Sequence, residues 1–393
     1  MAIHALLGLF DPKIAEYLKE STFPDLTPSM FATFASYATR YLGGEVIPSI
    51  KNRVIKLTEA DPFKRGKEHG ELCKDEITLM IFGIEELYVK REGGDRLLKK
   101  AKALEPHIPA EFIQEMKGLA EGAGVTYEKV LIANTIIDTM QLFGCSLYAV
   151  SEDRSKGEKM RELATNYFDT VGQKNSENID SAFKRFNSLL KTPFSSDTDA
   201  MKGALKKVNC DDTVQSIVFD TATGSIELAT AGNYSATSSY STFTGEELFG
   251  SVKIATGKKV VKLARNLDWP ITVLGPTTNV MVYPAVKGKY KTAVVGWPGM
   301  LGALSGINEK GLAISISVVP SKKQAGIPNQ FLFKKILQEA KTITEAAEIV
   351  KQHKCASPMN LMVAAVDGIA RFELDPKRKQ TGPATISFGR SAK

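Results

Sequence analysis

The chain has only four cysteines, and one of them, Cys145, stands in a position suited to chemistry. It lies in Phe143-Gly144-Cys145-Ser146-Leu147-Tyr148-Ala149-Val150, where a helical-looking segment gives way to strand-forming residues. No two cysteines have the C-x-x-C spacing of a metal or redox site. A thiol directly after a glycine suits an N-to-S acyl shift, because the Gly144 carbonyl is the least hindered one a side chain could attack. Cleavage there would leave Cys145 as a new N-terminus carrying its own base, an α-amino group with a pKa of ~7.7–8.0. On this stretch alone the favoured reading is a buried structural cysteine, the commoner fate of a free thiol.

Other residues change that balance when taken together. A cysteine nucleophile ordinarily relies on a histidine, yet none of the four histidines lies near a fitting motif, and His353 alone falls in the second half. His69 and His107 read as solvated or locally bonded. A nucleophile that supplies its own amine fits better, and it needs a carboxylate for the amine and a cation for the thiolate. Arg265 and Asp268 offer both, three residues apart at the end of a strand. Attack on an amide or thioester also needs a donor for the oxyanion, and Asn166 on a short apolar strand could supply it. Singly, Arg265-x-x-Asp268 reads as a local salt bridge and Asn166 as a turn or capping residue.

The elements that would position these groups change character at Cys145. Residues 1–144 read mostly as helix: Ser29–Tyr41, an amphipathic run from Asp61-Pro62 to about Lys90 interrupted by Gly66 and Gly70, which imply close packing or a loop, Ala110–Ala120, and a helix opened by Thr126. Arg53–Thr58 is a short strand. Beyond Cys145, strands predominate: Ser146–Val150, Leu163–Phe168, the hairpin Val214–Asp220 with Ile226–Thr230, Val252–Ile254, Lys259–Ala264, Val280–Tyr283, Thr292–Val295, Leu312–Val319, and a second hairpin, Leu361–Val366 with Ile369–Leu374. Ser181–Leu190, Gln330–Lys341 and Thr344–His353 read as helices. Ser151–Lys159, Thr192–Ala200 and Gly245–Ser251 read as loops or linkers. Helices first, then hairpins with a few helices, predict α+β.

A hydrophobic content of 43% and a charged content of 24% are those of a soluble globular protein of one large or two ordinary domains. The net charge of +7 is spread along the chain and fits an anionic substrate or surface without naming either. No basic block interleaved with aromatics speaks for nucleic acid, and no apolar run approaches the ~18 residues of a membrane span. The apolar start lacks a basic flank and a cleavage signal. With cysteines that suggest no pairing, a reducing, cytoplasmic location is expected.

Gly144-Cys145-Ser146, Ala264-Arg265-Asn266-Leu267-Asp268-Trp269-Pro270 and Thr165-Asn166 resemble the signature set of the acyl-coenzyme A:6-aminopenicillanic acid acyltransferase-like peptidases, kin of the choloylglycine hydrolases and the acid ceramidase group. Gly296-Trp297-Pro298-Gly299, Gly306–Leu312, Met116–Gly124 and Gly66-x-x-His69-Gly70 extend the likeness over most of the chain from about residue 50. It implies a four-layer αββα N-terminal-nucleophile fold and self-cleavage between Gly144 and Cys145. Residues 1–144 would remain as a small chain associated with the 145–393 core. It further implies Cys145 as nucleophile, Asp268 orienting the freed amine, Arg265 beside the thiolate and Asn166 in the oxyanion hole. Arg185, Trp269 and Trp297 would contact the substrate, a small-molecule amide or acyl thioester, and no cofactor or metal is called for.

Two departures stand out. Ser317-Val318 occupies the place where many relatives carry an asparagine. The order of segments also differs: in the family the Arg-Asn-x-Asp-Trp strand follows the cysteine strand at once, whereas here Leu163–Phe249 intervenes. A kept fold with permuted connections requires Ser146–Val150 to pair with Lys259–Arg265. The alternatives are an uncleaved, inactive small-molecule or lipid-binding protein of the same fold, and a cysteine hydrolase that works as an intact chain.

Overall fold

The computed structural model describes residues 52–391 apart from 86–92, 141–143, 166–176, 211–212, 231–234, 251–258, 270–276, 320–325, 377–383 and 389. The expected helix Ser29–Tyr41 and strand Val252–Ile254 lie outside the described residues. The first element is β1 (Val54–Lys56), followed by α1 (Pro62–Leu72). Asp61 caps α1 by accepting the Lys64 amide at 2.9 Å, and Pro62 sits in the first turn, where a missing N–H costs no helix bond. The run expected to reach Lys90 breaks at Cys73, and α2 (Lys74–Ile84) follows as a separate helix. Next come α3 (Gly94–Leu104), α4 (Ala110–Ala123), α5 (Tyr127–Ala133) and α6 (Ile136–Met140).

Helices α1 and α4 touch backbone to backbone. A Cβ on Gly66 would stand 1.9 Å from the Glu115 carbonyl oxygen, and one on Gly118 would stand 1.9 Å from that of Phe63. Gly70 and Gly122 repeat the contact one turn on. Of the two readings open for Gly66 and Gly70, close packing or a loop, the helices show close packing.

The rest of the chain supplies β2 (Gly144–Asp153), β3 (Glu158–Ala164), α7 (Glu177–Leu190), α8 (Thr198–Lys207), β4 (Thr213–Asp220), β5 (Ser225–Thr230), β6 (Ser241–Phe243), α9 (Gly245–Phe249) and β7 (Lys259–Asp268). It continues with β8 (Asn279–Tyr283), β9 (Thr292–Gly296), β10 (Ser305–Asn308), β11 (Ala313–Val318), α10 (Asn329–Glu339), α11 (Ile343–Gln352), β12 (Met359–Ala365), β13 (Gly368–Leu374), β14 (Ala384–Phe388) and β15 (Arg390–Ser391). Three readings change here. Ser151–Lys159 is not a loop but the far ends of β2 and β3 around a four-residue turn. The Thr192–Ala200 linker contains the start of α8, capped by Asp197, whose carboxylate accepts the Ala200 amide at 2.9 Å. Gly245–Ser251 contains α9.

The strands form an eight-stranded sheet, β1-β8-β9-β10-β11-β12-β13-β14, and a seven-stranded sheet, β15-β3-β2-β7-β4-β5-β6. Among the described strand pairs, β1–β8 is parallel and the others are antiparallel. Strand β7 lies between β2 and β4, with Leu147 opposite Arg265 and Tyr148 opposite Ala264. The expected pairing of the cysteine strand with the Arg-Asn-x-Asp strand is thus present, although 120 residues separate Cys145 from Arg265.

Side-chain alternation sorts the two faces of each sheet. Leu147, Ala149, Ile217 and Leu263 of the seven-stranded sheet share one core with Val280, Val295, Met362 and Ala364 of the eight-stranded sheet. The opposite face of the seven-stranded sheet, with Tyr148, Val150 and Val218, packs on Leu189 of α7 and on Met201 and Leu205 of α8. The opposite face of the eight-stranded sheet, with Tyr283, Ile314 and Phe372, meets Phe112 and Met116 of α4 and Phe331 and Ile336 of α10. The architecture over Lys51–Lys393 is α+β. No helix among the described residues is long and apolar enough to cross a membrane.

Candidate active site

Pairing across β2 and β7 sets which groups meet. Cys145 lies opposite Leu267, and Gly144 opposite Asp268. Cys145 shares the face of Leu147 and Arg265, which looks toward the other sheet. Ser146 and Asp268 share the face toward α7. The Gly144–Cys145 peptide bond runs between a thiol and guanidinium on one side and a carboxylate on the other.

On the inter-sheet side, Arg265 is fully buried and reaches both sheets. Its Nη2 donates to Cys145 Sγ at 3.3 Å and its Nη1 to Ser305 Oγ of β10 at 2.7 Å; Ser305 in turn lies 3.1 Å from Ser315 Oγ of β11. No carboxylate forms an ion pair with Arg265 among the described residues. A buried cation left with a thiol and a hydroxyl favours an anion at Sγ, because desolvation makes every unpaired charge costly. Cys145 itself is 0% exposed. Burial pushes its thiol up, Arg265 and Arg185 act in the opposite sense, and Asp268 adds to the rise. The thiol is accordingly protonated at rest and must lose its proton as it reacts.

On the helix side, Arg185 of α7 donates through Nη1 to Asp268 Oδ2 at 2.9 Å and to Ser146 Oγ at 3.0 Å. Their side chains are 13% and 6% exposed, so the pair is shielded from screening. Thr213, at the start of β4, donates to Asp268 Oδ1 at 2.6 Å. Each carboxylate oxygen therefore has a fixed donor.

The structure brings together Cys145, Arg265, Asp268 and Arg185 of the residues singled out from the sequence. Asn166 lies outside the described residues; its neighbour Thr165 is buried, and the Thr165 carbonyl accepts from Asn360 Nδ2 at 2.9 Å. Trp269 and Trp297 are both buried and pack edge to face with ring centroids 4.5 Å apart. Ser317 pairs with Asn360 across β11 and β12. Thr213, Ser305 and Ser315 had no signal in the sequence beyond being hydroxyl residues on strands, since their meaning comes from cross-strand partners.

A second buried polar cluster lies beneath α1 and α4. Glu115 receives Arg65 Nη2 at 2.9 Å and Arg65 Nε at 3.2 Å, and pairs with Lys334 Nζ at 3.3 Å. Lys334 also stands 3.4 Å from the centroid of the Tyr283 ring. His69, expected to be solvated or locally bonded, is fully buried, and its Nε2 accepts the Gly299 amide at 3.1 Å. The Gly66-x-x-His69-Gly70 and Trp297-Pro298-Gly299 stretches thus meet. Among the described residues no group of three or more His, Cys, Asp or Glu side chains is placed to hold a metal ion.

Residues 255–387 match the family model described as acyl-coenzyme A:6-aminopenicillanic acid acyl-transferase. This is the family that the sequence motifs resemble. The matched segment holds Arg265, Asp268, Trp269 and Trp297, while Cys145, Asn166 and Arg185 precede it. No curated protein matches the chain.

Proposed function

We propose, from the family likeness of residues 255–387 and the geometry around Cys145, that the chain is a self-processing N-terminal-cysteine hydrolase or acyltransferase acting on a linear amide or thioester. The observation that carries this reading is the 3.3 Å contact of Arg265 with Cys145 Sγ on the strand that pairs Gly144 with Asp268. The fold read with it is a four-layer αββα N-terminal-nucleophile fold with permuted segment order. Two facing sheets, each with helices on its outer face, support that reading, as does the long-range pairing of β2 with β7.

In self-processing, Cys145 Sγ loses its proton and attacks the Gly144 carbonyl carbon. The C–N bond breaks, the departing nitrogen gains a proton and becomes the Cys145 α-amine, and Gly144 is held as a thioester. Water hydrolyses that thioester to the Gly144 carboxylate and frees the thiol. The described part of the small chain is tied to the core, which supports its staying associated: β1 is hydrogen-bonded into the eight-stranded sheet, and α4 packs on it.

In turnover, the freed amine takes the Cys145 proton and the sulfur attacks the acyl carbonyl of the substrate. The proton passes to the leaving amine or thiol, and the acyl group remains on Cys145 until water or an amine accepts it. Arg265 stabilises the thiolate, Asp268 holds the protonated amine, and Asn166 donates to the oxyanion. Arg185, 13% exposed and so the least buried of the charged cluster, is read with Trp269 and Trp297 as contacting the substrate.

The test is acyl trapping. Wild-type protein and Cys145→Ala are incubated with a short-chain acyl thioester and with a linear acyl anilide, and intact masses are recorded. The expected result is one acyl increment on the fragment that begins at Cys145, removed by hydroxylamine and missing from Cys145→Ala. An increment of equal size on Cys145→Ala, or none on either, contradicts the reading.

A further inference from the structure

The carboxylate of Asp268 is set by a residue outside the family motifs. Thr213 is fully buried at the first position of β4, opposite Asp268. The next pair in the ladder joins Gln215 to Leu267, so Val214 is an extra residue in β4. Such a bulge re-aims the side chain beside it. Without it, the alternation would place Val214 next to Asp268 in place of a hydroxyl.

The direction of the Thr213 hydroxyl is also determined. Its oxygen accepts the Cys210 amide at 2.9 Å, and the Thr213 amide donates to the Cys210 carbonyl at 2.9 Å, which closes the turn ahead of β4. Cys210 Sγ also lies 3.4 Å from the hydroxyl, but a carboxylate at 2.6 Å is much the stronger acceptor, so the single hydroxyl proton goes to Asp268 Oδ1 and the thiol is left to donate. Arg185 holds the other oxygen from α7. An arginine on one helix would by itself leave the carboxylate free to rotate about its bond to Cβ; a second donor from the neighbouring strand fixes the plane of the group. That plane decides whether a lone pair faces the Gly144–Cys145 nitrogen.

We propose that Thr213 is a positioning residue for Asp268, and through it for both self-cleavage and turnover at Cys145. The proposal rests on the self-processing reading above. Thr213 touches no reacting atom. It contributes by keeping the carboxylate in the orientation that receives the proton-bearing nitrogen as the peptide bond breaks, and afterwards in the orientation that holds the free amine.

The experiment compares wild type with Thr213→Ser, Thr213→Cys and Thr213→Val. Serine keeps the hydroxyl, cysteine keeps the size with a weak donor, and valine keeps the shape with no donor. Scission is timed by intact mass, kcat and KM are measured on the trapping substrate, and melting temperature reports folding. Serine is expected to match wild type within about two-fold. Valine is expected to lose roughly ten-fold or more in scission rate and kcat with KM little changed, the scale of a lost hydrogen bond to a charged group. Cysteine should fall between them, and serves as the second measure should the valine variant fail to fold. Rates that track melting temperature rather than donor strength overturn the proposal, as does a folded valine or cysteine variant at wild-type rate. A wild-type chain that neither splits nor turns over refutes the self-processing reading and this assignment with it. A working wild type matched by the valine variant refutes this assignment alone.

Discussion

Acidification should destabilise the fold through His69 before it reaches most carboxylates. The imidazole is fully buried on α1, its Nε2 receives the Gly299 amide, and burial lowers its pKa from 6.5 to about 4. The negative charge of Glu115 opposes that drop and the Lys334 cation adds to it. Between pH 6.5 and about 4 the unfolded chain carries a proton on this side chain and the folded chain does not, so stability falls as pH falls through that window. The span corresponds to about 3 kcal/mol, a large share of the ~5–15 kcal/mol that holds an ordinary domain together. The assay is the urea midpoint at pH steps from 7 to 4 for wild type and His69→Gln. Glutamine can accept the Gly299 amide but does not titrate, while Glu115 titrates in both proteins, so their difference isolates the imidazole. Wild type should lose about 3 kcal/mol more than the variant over the window. Parallel curves would refute the reasoning.

Lys334 should act in the opposite range. Burial, reinforced by Arg65 and opposed by Glu115, lowers its pKa to about 7, so from about 7 up to 10.5 the unfolded chain holds the extra proton and stability rises with pH. Lys334→Met should flatten that rise and raise the melting temperature at pH 6.5, because Glu115 keeps its two-point pairing with Arg65; a lower melting temperature would contradict this. Gly66→Ala should cost about 1–3 kcal/mol or more, measured by denaturant titration, since its Cβ would meet the Glu115 backbone of α4. Asp268→Asn should slow both scission and turnover, whereas Asn166→Ala should lower turnover by ~10²–10³; near-wild-type kcat in either would remove that residue from the mechanism.

Much of the cluster around Cys145 could be read from residue type and spacing because its core is local. Arg265-x-x-Asp268 and Gly144-Cys145 each lie on one strand, and strand alternation alone predicts which of their side chains share a face once the strands pair. What escaped depends on contacts between distant segments. Glu115 sits among Phe112, Met116 and Leu119 and would pass for the polar edge of α4, yet it is fully buried because Arg65 and Lys334 arrive from α1 and α10. His69 looked like a surface residue because its partner is a backbone amide some 230 residues away. The start of α8 was hidden by the Pro-, Ser- and Asp-rich residues before it, one of which is its cap. The ends of β2 and β3 read as loop because their side chains are largely charged and partly exposed, as solvent-facing strand ends tolerate.

Self-cleavage at Gly144–Cys145 is the claim on which the rest depends, and one measurement addresses it. Freshly purified wild type and Cys145→Ala are followed by intact mass under denaturing conditions. Wild type should convert from 42.8 kDa into two fragments whose junction is Gly144–Cys145, with Cys145 as the new N-terminus, while Cys145→Ala stays whole. A wild-type sample that turns over amides as a single uncleaved 42.8 kDa species would contradict the account.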